Sequence, residues 1–315
     1  MGKSRRLEDR LAALNDLRTD PTSEQSLALL KKALATKTNM VAGRAAEIAG
    51  DYQLYALEPN MVQAFGRFMI NPQKTDPACI AKTALAEALY RMEAHQPDLF
   101  LTGIGHVQME PVWGGREDTA AKLRGLCALG LVRINYDRVM LELAQLLADP
   151  EPDARISAAR AIAYTGMVNE GELLLRFKTL VGDESPQVLS ECLSALLQLA
   201  PESSLSFVAG FLHRDDPAVQ GAAAVALGES HLVQAFPFLE TAWEDALEAD
   251  LKKTLLLSIA LLRHERALEF LVSLLVSGGQ TGKDALEALS MYRDDERIWS
   301  RVEAAMREHV QSERD

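Results

Sequence analysis

Residues Asp216–Gly228 read Asp-Pro-Ala-Val-Gln-Gly-Ala-Ala-Ala-Val-Ala-Leu-Gly, and this order predicts one complete helix. An aspartate can cap a helix by accepting a hydrogen bond from a backbone N–H of the first turn. Proline suits that turn because it lacks an N–H. The small residues Ala223 and Ala224 allow a neighbouring helix to approach closely. Gly228 is predicted to take the left-handed conformation that ends the helix.

The same order of residues recurs along the chain. A second helical stretch with an apolar stripe precedes most copies, and five copies are spaced by 33, 34, 31 and 32 residues. The positions after the cap in these five copies are Thr119, Pro152, Pro186, Pro217 and Ala249. Weaker copies begin near Val41, Asp76 and Lys283. This period predicts an all-α superhelix, a solenoid of about eight helical-hairpin repeats.

The composition agrees with a helical fold and a large core. Hydrophobic residues make up 48% of the 315 residues and aromatic residues only 6%. The apolar residues are mostly leucine and alanine, which favour helices over strands. The net charge is −12, from 45 acids against 33 bases. Proteins that grip duplex phosphate usually carry a basic field, so the charge disfavours nucleic acid as the main partner.

Cysteine usage and hydropathy predict a cytoplasmic protein without membrane contact. Cys79, Cys127 and Cys192 lie far apart and form no Cys-x-x-Cys pair, which is typical of a reducing compartment. The apolar runs, such as Leu255–Leu262, are too short to span a bilayer.

The pattern Asp-Pro-x-Val-x-x-x-Ala-Ala-x-Ala-Leu-Gly in Asp216–Gly228 resembles HEAT repeats, in particular the short repeats named after phycobilin (PBS) lyases. The resemblance covers roughly residues 20 to 295. It implies a HEAT/armadillo-like solenoid in which the second helix of each repeat lines a concave surface. It implies no single function, since HEAT arrays serve as adaptors, lyase subunits, regulators and occasional enzymes.

The whole chain, 1–315, is predicted to form one solenoid domain. Residues 1–20 are predicted to be an N-terminal capping helix, and residues 296–315 a C-terminal capping helix with a frayed tail. From Ala78 to Thr119 the period lengthens to 41 residues, and the extra length falls in an inserted loop at 103–117.

The inserted loop carries the first group of candidate binding residues. Trp113 precedes Gly114-Gly115, where a tight turn is predicted. Three polar residues flank the tryptophan: His106, Glu110 and Arg116. Insertions in repeat proteins often lie on the binding face, and Trp and Arg are enriched at binding hot spots. The loop is therefore a candidate anchor for a partner. The alternative is that Trp113 folds back and fills the gap between adjacent repeats.

The second group of candidates lies on two predicted inner helices, Asp118–Arg133 and Pro152–Tyr164. Their acids, Asp118 and Asp153, lie in the first turns, where they interact favourably with the helix dipole. The candidate bases on these helices are Lys122, Arg124, Arg155 and Arg160, with Arg133 beside them. The bases predict a groove for an acidic peptide, a phosphate-bearing ligand or a short nucleic acid. The alternative is a solvated face with Asp–Arg pairs that bridge neighbouring repeats.

No catalytic residue, metal site or cofactor is predicted. The six histidines form no His-x-x-x-His or His-Glu-x-x-His pair, and no Walker or Gly-x-Ser-x-Gly motif occurs. The sequence favours a non-catalytic scaffold or adaptor that binds another protein or an acidic peptide. Two alternatives stay open: a HEAT-type lyase or chaperone-like subunit acting on a tetrapyrrole or its carrier protein, and a nucleic-acid-binding or repair protein.

Overall fold

The computed structural model describes the backbone of residues 2–312 and the side chains of residues 6–307. Contacts within the chain define two compact units, Met1–Thr165 and Gly166–Asp315. The prediction of a single domain over 1–315 stays a prediction. Part of the predicted C-terminal tail, residues 313–315, lies outside the described residues.

The first unit consists of helices and one β-hairpin. Its α-helices are α1 (Gly2–Asp16), α2 (Glu24–Leu34), α3 (Asn39–Asp51), α4 (Glu58–Phe68), α5 (Pro72–Thr75), α6 (Ile80–Arg91), α7 (Pro97–Ile104), α8 (Ala121–Arg133), α9 (Val139–Leu146) and α10 (Pro152–Tyr164). Its strands are β1 (Met109–Val112) and β2 (Gly115–Asp118). Single 3₁₀ turns occur at Leu17–Thr19, Tyr55–Leu57 and Pro77–Cys79.

The described part of the second unit contains helices only. They are α11 (Val168–Val181), α12 (Pro186–Leu199), α13 (Pro201–Ala209), α14 (Pro217–Glu229), α15 (Phe236–Asp245), α16 (Ala249–Leu261), α17 (Glu265–Ser277), α18 (Gly279–Leu289) and α19 (Glu296–Ser312). Its 3₁₀ turns lie at Gly210–His213, Val233–Ala235 and Ser290–Tyr292.

Each unit is a stack of helical hairpins in two layers. In the first unit α3, α6, α8 and α10 pack side by side, and α2, α4, α7 and α9 pack on them as partner helices. In the second unit α12, α14, α16 and α18 form the corresponding layer, with α11, α13, α15 and α17 as their partners. The described residues thus contain eight hairpins. The predicted all-α solenoid class and its repeat number are confirmed.

The repeat residues start α14 in the way that the sequence predicts, whereas α8, α10, α12 and α16 begin without a side-chain cap. The Asp216 carboxylate accepts a hydrogen bond of 2.9 Å from the Ala218 N–H, and Pro217 is the first residue of α14. Ala223 and Ala224 are fully buried where α14 packs between α12 and α16. Small apolar residues at these positions bring the helices of the layer close together.

The prediction for Gly228 is wrong, because this residue lies inside α14 and does not end it. The left-handed residue after α14 is His231, with a φ of 55°. A Cβ at position 228 would lie 2.4 Å from the carbonyl oxygen of Ser258 on α16. Gly228 is therefore needed for the close approach of two helices, not for backbone conformation.

Candidate functional site

The insertion between α7 and α8 folds as a β-hairpin. β1 and β2 pair antiparallel, with Met109 opposite Asp118 and Val112 opposite Gly115. Trp113 and Gly114 form the two-residue turn, and Gly114 has a φ of 95°, which glycine adopts without steric penalty. The turn lies one residue earlier than predicted. The flanking residues are strands where the sequence predicts an irregular loop.

Glu110 anchors the base of the hairpin to the turn that precedes α6. Its carboxylate oxygens accept hydrogen bonds of 2.8 and 3.0 Å from the Ala78 N–H. Gln108 Nε2 and the Thr119 hydroxyl donate to the same carboxylate. Ala78 and Cys79 both have left-handed φ values, 56° and 54°, which are unfavourable for residues with a Cβ. Glu110 therefore holds the hairpin and a strained turn together.

Asp118 anchors the other strand. Its carboxylate accepts hydrogen bonds from the N–H groups of Gln108 (2.9 Å) and Ala120 (3.0 Å), and it pairs with Arg124 at 2.6 Å. Burial raises the pKa of this carboxyl, but the two backbone hydrogen bonds and Arg124 outweigh it, so the pKa of Asp118 lies below its ordinary value. The carboxylate is therefore charged at neutral pH and fixes the end of the hairpin.

The indole of Trp113 is fully exposed at the tip of the hairpin. Both neighbours in the turn region, Val112 and Gly114, are exposed as well. The alternative in which Trp113 fills a gap between repeats is therefore wrong. The other tryptophans, Trp243 and Trp299, are only partly exposed.

His106 and Arg116 lie near the same hairpin but have protein partners. The half-buried His106 ring has its Nε2 3.1 Å from Gln108 Oε1. Burial lowers the pKa of His106, and the hydrogen bond with Gln108 only partly opposes this. Arg116 is exposed, and its guanidinium donates to the Met109 carbonyl at 3.0 Å.

Arg124 does not lie on a surface groove. Its side chain is 2% exposed and pairs with Asp118 at 2.6 Å and with Asp149 at 2.7 Å. It also donates to the His106 carbonyl at 2.9 Å. For this residue the prediction of a binding role on an open basic face is wrong. The Asp–Arg pairing of the alternative is present, but the pair is buried and does not lie on a solvated face.

The other predicted bases differ in their surroundings. Arg155 is half-buried, and its Nη1 donates to the carbonyls of Asp149 and Pro150, both at 2.8 Å. Lys122 and Arg160 are exposed. Arg133 pairs with Glu93 at 3.3 Å. A role for Lys122, Arg155 and Arg160 in binding stays a prediction.

A buried polar pair beneath the hairpin was not predicted from the sequence. Asp76 and Lys82 are both fully buried and pair at 3.0 Å. Asp76 also accepts hydrogen bonds from the backbone N–H groups of Ala81 and Lys82. Asp118 and Arg124 have the same six-residue separation. This recurrence of an aspartate followed six residues later by a base was the signal in the sequence.

The cysteines are unsuited to nucleophilic chemistry. All three are buried. Burial raises the pKa of Cys79 to about 11 and that of Cys192 to about 12, and it also raises the pKa of Cys127. Thiols with raised pKa values carry little reactive thiolate.

Among the described side chains, no three His, Cys, Asp or Glu residues come together as metal ligands.

A second exposed apolar surface lies on α11, in the second unit. Leu173, Phe177, Leu180 and Val181 are each more exposed than buried. Their spacing places them on one face of the helix. Exposed apolar patches mark protein or membrane interaction sites, ligand-binding grooves or aggregation-prone surfaces. Among the helices within residues 2–312, none combines the length and the apolar character needed to cross a membrane.

Comparison with known proteins identifies the repeat. Residues 174–260 match a family model of HEAT repeats, which confirms the predicted resemblance. The complex of CpcE and CpcF of phycocyanin lyase from Nostoc sp. PCC7120 is similar over 72% of this chain and 88% of that chain, with 16% identity and a TM-score of 0.37. Human deoxyhypusine hydroxylase in complex with glycerol is similar over 82% and 91%, with 19% identity and a TM-score of 0.33. No curated protein sequence matches the chain.

Proposed function

We propose that this chain of HEAT repeats is a non-catalytic scaffold that binds a partner protein through the tip of the β1–β2 hairpin, with Trp113 as the anchor. The observation that carries the proposal is the full exposure of the Trp113 indole. Transfer of an indole from water into an apolar pocket of a partner lowers the free energy, so an exposed tryptophan at the tip of a hairpin favours association.

The anchoring of the hairpin supports the proposal. Glu110 and Asp118 fix the two strands at the base of the hairpin, and Trp113 at the tip takes no part in these hydrogen bonds. A binding element that is already held in one conformation loses little conformational entropy on association. This arrangement favours tight binding by a small number of residues.

The shape of the site favours a protein over a small molecule. Small-molecule sites are concave and enclose most of the ligand, whereas Trp113 projects from a turn. Arg124 and Arg155, which would form a basic groove, are engaged by carboxylates and backbone carbonyls. These features favour neither the tetrapyrrole alternative nor the nucleic-acid alternative.

Affinity purification from the native host tests the proposal. The wild-type chain is compared with Trp113→Ala by quantitative mass spectrometry of the proteins that co-purify. We expect one or a few proteins to be retained by the wild type and to fall by at least about tenfold with Trp113→Ala, since loss of a hot-spot tryptophan weakens binding by about 2 kcal/mol or more.

The matched control is Leu247→Ala. Leu247 is also an exposed apolar residue, at 96%, but it lies outside the hairpin. The control should retain the same proteins as the wild type. A set of co-purifying proteins that is identical for all three chains would refute a role for the hairpin.

A further inference from the structure

An apolar groove lies between α1 and α2 in the first unit, far in sequence from the hairpin. Its cavity volume is about 200 Å³. Each helix contributes residues at the same helical spacing. Those of α1 and the turn after it are Arg10, Ala13, Leu14 and Leu17, those of α2 and the residues after it are Leu29, Lys32, Ala33 and Thr36, and Val41 of α3 also lines the groove. We call these residues the N-terminal groove.

The shape of the groove is suited to the packing of a third helix between α1 and α2. Positions separated by three, four and seven residues lie along one helix face, so α1 and α2 each present one stripe to the groove. Both stripes contain an alanine, Ala13 and Ala33, and small residues permit close helix packing. Leu29 lies on the rim and is 43% exposed. A helix laid between the two stripes would bury this leucine.

The two bases of the groove, Arg10 and Lys32, lie at a similar position along its length. The turn after α1 is fixed beside the end of α3 by the Arg18–Asp51 ion pair at 2.8 Å. The end of α2 lies close to the start of α3, and the two helices pack as a hairpin. The start of α2 therefore lies beside the end of α3 as well. With a rise of 1.5 Å per residue, Arg10 lies about 10 Å before Leu17, and Lys32 lies about 12 Å beyond Glu24. Both bases therefore lie at a similar distance, about 10–12 Å, from the end of the groove at which this turn lies.

The surrounding sequence is basic in an otherwise acidic chain. Residues 1–51, which include α1, α2 and the whole of α3, contain nine Lys and Arg residues and seven Asp and Glu residues, whereas the whole chain contains 33 bases and 45 acids. Arg10 and Lys32 have no ion-pair partner among the described side chains. The charge around the groove thus favours an anionic occupant over a cationic or neutral one.

We propose that the N-terminal groove binds a short amphipathic helix of a partner protein, with Asp or Glu residues beside its apolar stripe. The apolar side chains of that helix pack against Leu14, Leu17 and Leu29, and its acids pair with Arg10 and Lys32. This is the helix-in-groove mode of recognition. The site is separate from the hairpin and requires no contact with Trp113.

A fluorescence-anisotropy titration of the full chain tests this proposal. The probe is a labelled synthetic peptide of about 16 residues, a length at which alanine-rich helices form in water. It carries leucines at i, i+3, i+4 and i+7 with glutamates on both flanks; a second peptide has lysines in place of the glutamates. We expect the glutamate peptide to bind saturably, and at least about tenfold more tightly than the lysine peptide.

Substitutions at the groove identify the site. Leu29→Glu and Lys32→Glu should each weaken binding of the glutamate peptide about tenfold or more. Both residues are exposed, so the variants should fold, which circular dichroism checks. Lys31→Glu is the control for charge, because Lys31 is exposed on the same helix but does not line the groove. Leu141→Glu is the control for an exposed leucine elsewhere in the unit.

Charge reversal supplies the strongest outcome. The Arg10→Glu, Lys32→Glu double variant should bind the lysine peptide more tightly than the wild type does. The proposal is overturned by a wild type that shows no saturation with the glutamate peptide up to about 1 mM, by equal binding of the two peptides, or by equal effects of Lys32→Glu and Lys31→Glu. None of these results depends on Trp113, so they leave the role of the hairpin untouched.

Discussion

Buried charged side chains in the first unit form hydrogen-bonded pairs that connect neighbouring elements. Arg124 on α8 joins Asp118 at the end of the β-hairpin to Asp149, which lies between α9 and α10 of the next repeat. Two carboxylates and one guanidinium are stable in this position only while all three are present, because an unpaired buried charge is strongly destabilising.

Replacement of Arg124 should therefore destabilise the fold. We expect Arg124→Ala to lower the free energy of unfolding by about 3–5 kcal/mol, since it leaves the carboxylates of Asp118 and Asp149 without their cation. Urea unfolding followed by circular dichroism measures the change. Lys122→Ala, an exposed base on the same helix, should change it by no more than about 0.5 kcal/mol. Equal effects of the two substitutions would show that Arg124 is not a structural residue.

The role of Arg124 could be predicted only in part from the sequence. Its six-residue separation from Asp118 resembles that of Asp76 and Lys82, a signal for a structural pair that the prediction of a basic groove did not take into account. Its burial depends on Asp149 from the next repeat, 25 residues away. The periodicity of one helix does not reveal whether a neighbouring element covers it, so Arg124 looked like an exposed base.

At the scale of the secondary-structure elements, close packing between helices constrains α14 most strongly at Gly228. A Cβ there would lie 2.4 Å from the carbonyl oxygen of Ser258, whereas a Cβ at Gly221 would be 3.8 Å from Thr254 Cγ2. The two glycines lie on one helix and differ mainly in the approach of α16.

Alanine substitutions at these two glycines should therefore have opposite effects. Gly228→Ala should lower the free energy of unfolding by about 1–3 kcal/mol, because α14 and α16 must move apart. Gly221→Ala should raise it by up to about 1 kcal/mol, because alanine favours helices over glycine. Thermal unfolding of both variants gives the comparison. Stabilisation by Gly228→Ala would contradict the close approach of the helices.

The hairpin depends on Glu110 as its connection to the turn before α6. Glu110→Ala leaves the Ala78 N–H without its acceptor and should loosen β1 and β2. We expect faster hydrogen–deuterium exchange in peptides that cover residues 109–118. Glu117→Ala is the matched control, because Glu117 lies directly opposite Glu110 in the hairpin and is exposed. Exchange that is unchanged in Glu110→Ala, or equally fast in both variants, would argue against this anchor.

The helices were predictable because each carries its own signals. The cap at Asp216, the proline at 217 and the apolar stripe all lie within one element. The hairpin was not predictable in this way. Its strands have only four residues each, and β1 contains a proline. Their geometry is fixed by the contact of Glu110 with Ala78, 32 residues away in the sequence. The position of the insertion and of Trp113 could be predicted from the sequence, but the two strands and the exposure of the Trp113 indole could not.

At the scale of the whole molecule, regular repeats supply two stacks of hairpins, and the departures from the repeat supply the candidate binding surfaces. The β-hairpin interrupts the third repeat, between α7 and α8, and the N-terminal groove occurs where the array begins. The period could be read from the sequence because each repeat packs mainly on its neighbours. The surfaces could not, because exposure depends on how neighbouring repeats cover one another.

The fluorescence of Trp113 during binding tests the central claim most directly. In the Trp243→Phe, Trp299→Phe variant, Trp113 is the only tryptophan that remains of three. Its emission should be that of an indole in water, and acrylamide should quench it readily. On addition of the protein that co-purifies with the wild type, we predict a blue shift and protection from acrylamide, because the indole enters an apolar pocket. Unchanged emission and quenching at saturating partner would contradict the role of Trp113 as the anchor.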